Sequence, residues 1–83
     1  MFGGNTMNGT DFIKALDDGL VLVSEDGMYI RKIDGVYMAH TLDYSLFTRG
    51  EKLSTDNDRD VYLYNNERAY TVFEAEKFEV KKK

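Results

Sequence analysis

Cysteine is absent from the 83 residues, so disulfides and thiolate metal sites are excluded. Small secreted domains usually depend on such cross-links, and their absence favours a cytoplasmic location. The longest apolar run covers residues 20–23, far short of the ~20 residues that a membrane-spanning helix requires. The first residues also lack the basic and then apolar build of a secretion signal. We therefore expect an intracellular protein with no membrane contact.

The chain also lacks a surplus of positive charge. Its formal net charge is −4, and because the lysine tail 81–83 contributes +3, residues 1–80 carry −7. An acidic body repels nucleic-acid phosphates and attracts basic surfaces, which favours a basic protein partner over direct nucleic-acid binding. The alternative is that the acidity only keeps a small protein soluble.

The length of the chain, 83 residues, is enough for one domain at most. We predict a flexible lead-in over residues 1–9, a single α+β domain over residues 10–80 and a basic tail over residues 81–83. A chain of this length buries only about 60–65% of the surface that its unfolded form exposes. We therefore expect a partner or a second copy to complete part of the core.

The best helix candidate runs from Thr10 to Asp18. Thr10 can accept a hydrogen bond from a free amide of the first turn, as an N-cap residue does. Gly19 supplies the positive φ that commonly ends a helix. Apolar side chains recur at helical spacing, at Phe12, Ile13, Ala15 and Leu16.

Three apolar-rich stretches predict a meander of strands at Leu20–Ser24, Met28–Ile33 and Val36–Thr41. Asp-Gly pairs at 26–27 and 34–35 separate them and favour two-residue type I′ turns. This register places one set of side chains on the core side: Val21, Val23, Met28, Ile30, Tyr37 and Ala39. The opposite face carries Leu20, Leu22, Tyr29, Arg31, Ile33, Val36, Met38 and His40. That face is too apolar for full exposure, so we expect it to be covered by the C-terminal half of the chain, a second protomer or a target.

A second hairpin is predicted at Arg59–Asn65 and Arg68–Glu74, with an edge strand at Lys77–Val80. Residues 42–47 form either a short helical turn or an apolar loop, and residues 48–58 are predicted to be a loop. One face of the hairpin carries Val61, Leu63, Tyr70 and Val72, and the other carries Tyr62, Tyr64, Ala69, Thr71 and Phe73. The fold class is thus α+β, a short N-terminal helix packed on a mainly antiparallel sheet of five to six strands.

Tyrosine gives the strongest functional signal, because six tyrosines lie mostly on predicted strands and this residue is enriched at interfaces. Our leading hypothesis is a non-catalytic protein-binding module, of which an inhibitor is one kind. Its anchors would be Tyr62, Tyr64 and Phe73, and its charged rim Asp56, Asp58 and Asp60. In size and composition the chain resembles the compact, acidic, cysteine-free accessory proteins of phages, which dock on a host protein.

Two alternatives use the face of the meander opposite to the predicted core. Its side chains Leu20, Leu22, Ile33, Val36 and Met38 could seal a two-fold dimer. A small molecule or nucleotide could instead be sequestered between protomers near Tyr29, Arg31 and His40, with Arg31 holding a phosphate.

The sequence contains no motif that indicates catalysis or metal binding. His40 is the single histidine, and no spacing in the sequence requires a nucleophile beside it. The segment 56–67 places acids as an EF-hand loop does, but Val61 stands where that loop needs glycine. No glycine-rich phosphate loop is present. The sequence therefore predicts no enzyme, cofactor or metal site.

Overall fold

The computed structural model describes residues 7–45 and 47–81, which form one helix and two antiparallel sheets. The elements are α1 (Gly9–Asp17), β1 (Leu22–Ser24), β2 (Met28–Ile33), β3 (Val36–Thr41), β4 (Phe47–Gly50), β5 (Lys52–Ser54), β6 (Asp60–Asn65), β7 (Arg68–Glu74), a 3₁₀ turn (Ala75–Lys77) and β8 (Phe78–Val80). The first sheet has the order β4-β3-β2-β1-β8 and the second β5-β6-β7. The predicted α+β class is confirmed, with the strands divided between two sheets. Residues 1–6 of the predicted lead-in and 82–83 of the predicted tail lie outside the described residues.

The helix begins earlier than predicted. Asn8, not Thr10, is the N-cap, and its Oδ1 accepts from the amide of Asp11 at 2.8 Å. Gly9 leaves no room for a side chain, since a Cβ there would lie 2.6 Å from Thr55 Oγ1. The helix ends as predicted, because Gly19 has a φ of 87°. There the amide of Leu20 donates to the Ala15 carbonyl, as in a Schellman cap.

The β2–β3 hairpin has the predicted type I′ turn, with φ angles of 52° and 81° at Asp34 and Gly35. The β1–β2 register is wrong by one residue. Three residues rather than two connect these strands, so Val23 pairs with Tyr29. A one-residue slip turns every side chain of a strand over. Leu22 therefore lies in the core, fully buried, and is removed from the proposed dimer face.

Strands β4 and β5 occupy sequence that was predicted as turn and loop. Only Glu51 separates them, and its amide donates to the Tyr64 carbonyl at 2.9 Å as the chain passes from the first sheet to the second. Gly50 makes this crossing possible. A Cβ at Gly50 would lie 2.5 Å from the Tyr64 carbonyl oxygen and 2.8 Å from Leu63 Cδ1.

The predicted faces of the second hairpin are correct for β6 and for Ala69 in β7, and wrong for the rest of β7. Asn66 and Glu67 form a two-residue turn, both with positive φ. A bulge follows, because Tyr64 pairs with Ala69 while its neighbour Leu63 pairs with Thr71. Tyr70 is the extra residue of this bulge, so the side-chain alternation beyond it is shifted relative to β6.

The core lies where the helix packs against both sheets. Phe12 is fully buried, stacks on Phe73 at a centroid distance of 5.9 Å and meets the edge of Phe78 at 5.2 Å. The 3₁₀ turn then returns the chain to the first sheet, where Phe78 pairs with Ser24. Within the described part of the chain, no helix is long and apolar enough to cross a membrane.

Candidate functional site

The outer face of the second sheet, together with its β7 edge, carries an aromatic surface, which we call the tyrosine face: Tyr62, Tyr64, Tyr70 and Val72. Strand alternation explains its composition, because Val61 and Leu63 point into the core between these outward residues. Tyr62 pairs directly with Val72, which is 52% exposed, and Tyr70 in the bulge is 60% exposed. The tyrosine face therefore presents apolar and aromatic area to solvent.

Charged groups flank the tyrosine face at both ends. Lys52 pairs with Tyr64 across β5 and β6, and its Nζ lies 5.5 Å from the centre of that ring. At the other end, Asp60 pairs with Glu74 directly across β6 and β7. Like charges in this position are unfavourable for the sheet. Lys77 partly offsets the repulsion through an exposed ion pair with Glu74 at 3.2 Å.

The acidic side chains at this end of the tyrosine face change the pKa of Tyr62. The negative charge of Asp56, then burial and the charge of Asp60, raise the pKa of Tyr62 above its ordinary value. The Asp56 carboxylate and the Tyr62 hydroxyl therefore share one electrostatic environment. We call Asp56, Asp60 and Glu74 the acidic end of the tyrosine face.

Asp58, which was predicted as part of the charged rim, forms hydrogen bonds to the start of the helix. Its Oδ1 accepts from the amide of Thr10 at 2.7 Å and from the Thr10 hydroxyl at 2.6 Å. Its carbonyl accepts from the amide of Gly9 at 2.7 Å. Asp58 therefore fixes the start of the helix to the loop before β6, whereas Asp56 and Asp60 remain at the acidic end.

Phe73 is not a surface anchor. It was predicted to share a face with Tyr62 and Tyr64, but it pairs with Val61 on the inner side of the sheet and is only 6% exposed. The bulge at Tyr70 accounts for the error. Val72 takes the outward position that Phe73 was expected to hold.

Only the first part of the EF-hand-like segment 56–67 is a loop, closed by its own hydrogen bonds, because β6 begins at Asp60. Asn57 Oδ1 accepts from the amides of Arg59 and Asp60, each at 2.9 Å, and Thr55 Oγ1 donates to the Asp60 carbonyl at 2.7 Å. The Asp58 carboxylate is already engaged by the helix. Among residues 7–45 and 47–81, no three acidic or histidine side chains converge in a way that could hold a metal ion.

A second site lies on the outer face of the first sheet, where the structure brings Tyr29, Arg31 and His40 together as predicted. They line a hollow of about 160 Å³ with Leu42, Tyr44 and Lys81. Sequence reasoning missed the last three. The apolar stretch 42–47, which follows directly after His40 and Thr41, was the available signal for Leu42 and Tyr44.

His40 is 5% exposed, and both of its ring nitrogens lie near groups of the same sheet. Its Nδ1 lies 3.0 Å from the Thr41 carbonyl, and its Nε2 lies 3.5 Å from Arg31 Nη2. Ser24, a conceivable nucleophile, points to the core side of the same sheet, and its hydroxyl donates to Asp26.

Comparison with known proteins adds no assignment: no protein-family model, no curated protein and no solved structure matches this chain.

Proposed function

We propose that this protein is a non-catalytic binding module whose tyrosine face docks on a protein with a basic surface. One observation carries the proposal: a continuous outer sheet face has an aromatic and apolar centre and an acidic end. Tyrosine is among the residues that dominate binding energy at interfaces, because it buries a large area with little loss of conformational freedom.

Charge supports a basic partner. Residues 51–77, which span the second sheet and the 3₁₀ turn, hold seven acidic and four basic residues, a formal net charge of −3. The opposed carboxylates of Asp60 and Glu74 cost stability in the free protein, and a cationic partner would relieve their repulsion. Complementary charge mainly accelerates encounter and selects the partner.

The geometry also leaves the tyrosine face accessible. Strand β7 is an edge of the second sheet and pairs only with β6 in the described chain. The exposed side chains of Tyr70 and Val72 lie along this edge. A partner can therefore approach the face both from above and from the side. Such docking would block whatever ligand the partner's basic surface normally binds, which is how the module would act as an inhibitor.

The test captures the partner at a defined position. Tyr70 is replaced by the photo-cross-linking residue p-benzoylphenylalanine, and Tyr44, similarly exposed on the other sheet, receives the same replacement as a control. We expect a basic protein to be cross-linked from position 70 and not from position 44. Calorimetry with that purified protein should then show about ten-fold weaker binding for Tyr62→Ala and for Val72→Ser.

Three outcomes would contradict the proposal. The first is capture of the same protein from both positions. The second is a cross-link only to another copy of this chain, which would indicate self-assembly. The third is unchanged affinity of the captured protein for folded Tyr62→Ala and Val72→Ser variants. Tyr44→Ala serves as the matched control and should bind like the unmodified protein.

A further inference from the structure

The hollow on the outer face of the first sheet is distant in the fold from the tyrosine face and has a different chemistry. It is built where β2 and β3 pair, since Tyr29 lies directly opposite His40. The turn after β3 brings Tyr44 over one side, and the residue after β8 brings Lys81 to the other. Three separate segments of the chain thus converge on one small space.

Arg31 has unused hydrogen-bonding capacity in this hollow. Its Nε is buried and has no hydrogen-bond partner in the described structure. A buried guanidinium donor without a partner is unfavourable, and an oxyanion is the group that best satisfies it. Because the Arg31 guanidinium also lines the hollow, an anion is the ligand that its charge favours there.

His40 holds the guanidinium in place. A carbonyl oxygen only accepts, so the contact of His40 Nδ1 with the Thr41 carbonyl places the ring proton on Nδ1. In the neutral ring Nε2 is then an acceptor, and it faces Arg31 Nη2 at 3.5 Å. This contact helps to orient the Arg31 guanidinium at the hollow.

The outer face of the first sheet is basic although the whole chain is acidic. Strand registers place Arg31, Arg49 and Glu79 on this face, and Lys81 lines the hollow. Three cationic side chains thus accompany one carboxylate on a chain whose net charge is −4. Local positive charge of this kind attracts small anions.

Aromatic rings line the hollow in a parallel arrangement. The His40 ring lies 5.7 Å from that of Tyr29 and 4.4 Å from that of Tyr44, with planes within 7° and 4° of parallel. Lys81 Nζ lies 5.2 Å from the centre of the Tyr29 ring. The outer ring, Tyr44, is 59% exposed and offers a flat surface on which another ring can stack.

We infer that this hollow binds a phosphate monoester attached to a flat ring, a chemistry that a nucleoside monophosphate represents. The Arg31 guanidinium and the Lys81 ammonium group take the phosphate, and the ring stacks on Tyr44. The volume of about 160 Å³ is below the roughly 300 Å³ typical of sites that enclose a drug-sized ligand, so the ligand is small and stays partly in solvent.

Calorimetric and NMR titrations of the full chain test this with three probes: adenosine 5′-monophosphate, inorganic phosphate and adenosine. We expect adenosine monophosphate to bind with a dissociation constant below about 1 mM, phosphate more weakly, and adenosine not measurably. Amide shifts should concentrate on β2, β3 and the turn 42–45. Equal binding of phosphate and adenosine monophosphate would show that the ring has no part and would overturn the inference.

Variants locate the site. Arg31→Gln should weaken adenosine monophosphate binding at least ten-fold, while Arg49→Gln, on the same face outside the hollow, should change it less than two-fold. If Arg31→Gln does not fold, Lys81→Gln and Tyr44→Ala, which change exposed positions, are measured in its place. Binding that survives these substitutions, or no binding of any probe, would contradict the inference. Neither result would affect the proposed tyrosine face, which lies on the other sheet.

Discussion

The Asp58 carboxylate and Thr10 join parts of the chain that lie 48 residues apart, through two hydrogen bonds of 2.7 and 2.6 Å to a single oxygen. The helix start is thereby fixed to the loop that leads into β6. This contact separates two functions within one acidic segment, because Asp58 stabilises the fold while Asp56 and Asp60 remain available at the acidic end of the tyrosine face.

Replacement of Asp58 should therefore reduce stability. Asp58→Gly keeps the positive φ of 61° accessible and removes the acceptor, and we expect a loss of about 1–2 kcal/mol, the range for helix-capping side chains. Urea unfolding measures the change. Asp56→Ala is the control, with an expected effect within about 0.5 kcal/mol. If Asp56→Ala lost as much stability as Asp58→Gly, the claim that only Asp58 stabilises the fold would be wrong.

The end of the helix is attached to the first sheet by a pH-dependent contact. The Tyr37 hydroxyl donates to Asp17 Oδ1 at 2.6 Å, and Lys32 Nζ lies 3.2 Å from the same oxygen. The Tyr37 hydrogen bond, and to a smaller degree Lys32, lowers the pKa of Asp17 below its ordinary value of 3.8. Its stabilising contribution is therefore present above that value and is lost as the pH falls through the lower pKa of the folded state.

Tyr37→Phe tests this contact. We expect a loss of about 1 kcal/mol at neutral pH, because Asp17 remains largely solvated and its hydrogen bond is partly screened. The difference between the variant and the unmodified protein should shrink as the pH falls from about 5 toward 2. Urea unfolding across this range measures it. A difference that stays constant with pH would show that Asp17 ionisation is not involved.

Gly50 should tolerate no side chain. A Cβ would contact the Tyr64 carbonyl oxygen and Leu63 at distances that real Cβ atoms do not show, so the crossing between the sheets would have to move. We expect Gly50→Ala to cost about 1–3 kcal/mol, as overpacking does. Thermal unfolding measures the loss. Arg49→Ala, at the exposed neighbouring position, is the control, and equal melting temperatures for both variants would contradict the close approach at residue 50.

Titration of Tyr62 tests the electrostatics of the tyrosine face. Since Asp56 is the largest cause of the raised pKa of Tyr62, Asp56→Asn should lower that pKa toward its ordinary value, and Asp60→Asn should lower it less. NMR of the ring protons across alkaline pH measures both shifts. An unchanged Tyr62 pKa in Asp56→Asn would show that the Asp56 carboxylate does not act on the Tyr62 hydroxyl.

Sequence reasoning succeeded where local chemistry decides the structure. The pair Asp34-Gly35 fixes a two-residue turn, so the β2–β3 register was correct, and with it the grouping of Tyr29, Arg31 and His40. The β1–β2 connection shares the Asp-Gly signal but uses one more residue, and this single residue reversed the expected faces of Leu22 and its neighbours.

Non-local contacts account for the remaining errors. Strands β4 and β5 are short and largely polar, and they form because β3 and β6 offer pairing edges that no local pattern shows. Because of the bulge at Tyr70, Val72 lies on the outer face and Phe73 on the inner face, which is the reverse of the prediction. Lys81 joins the hollow only because β8 pairs with β1, more than fifty residues earlier in the chain.

The rate of association tests the proposed docking most directly. Stopped-flow mixing with the protein captured from position 70 would compare the unmodified chain with Asp56→Lys/Asp60→Lys at low and high salt. We expect about ten-fold slower association of the variant at low salt and converging rates at high salt, because screening removes the steering. Equal rates at low salt, or faster association of the folded variant, would contradict recognition of a basic surface by the acidic end of the tyrosine face.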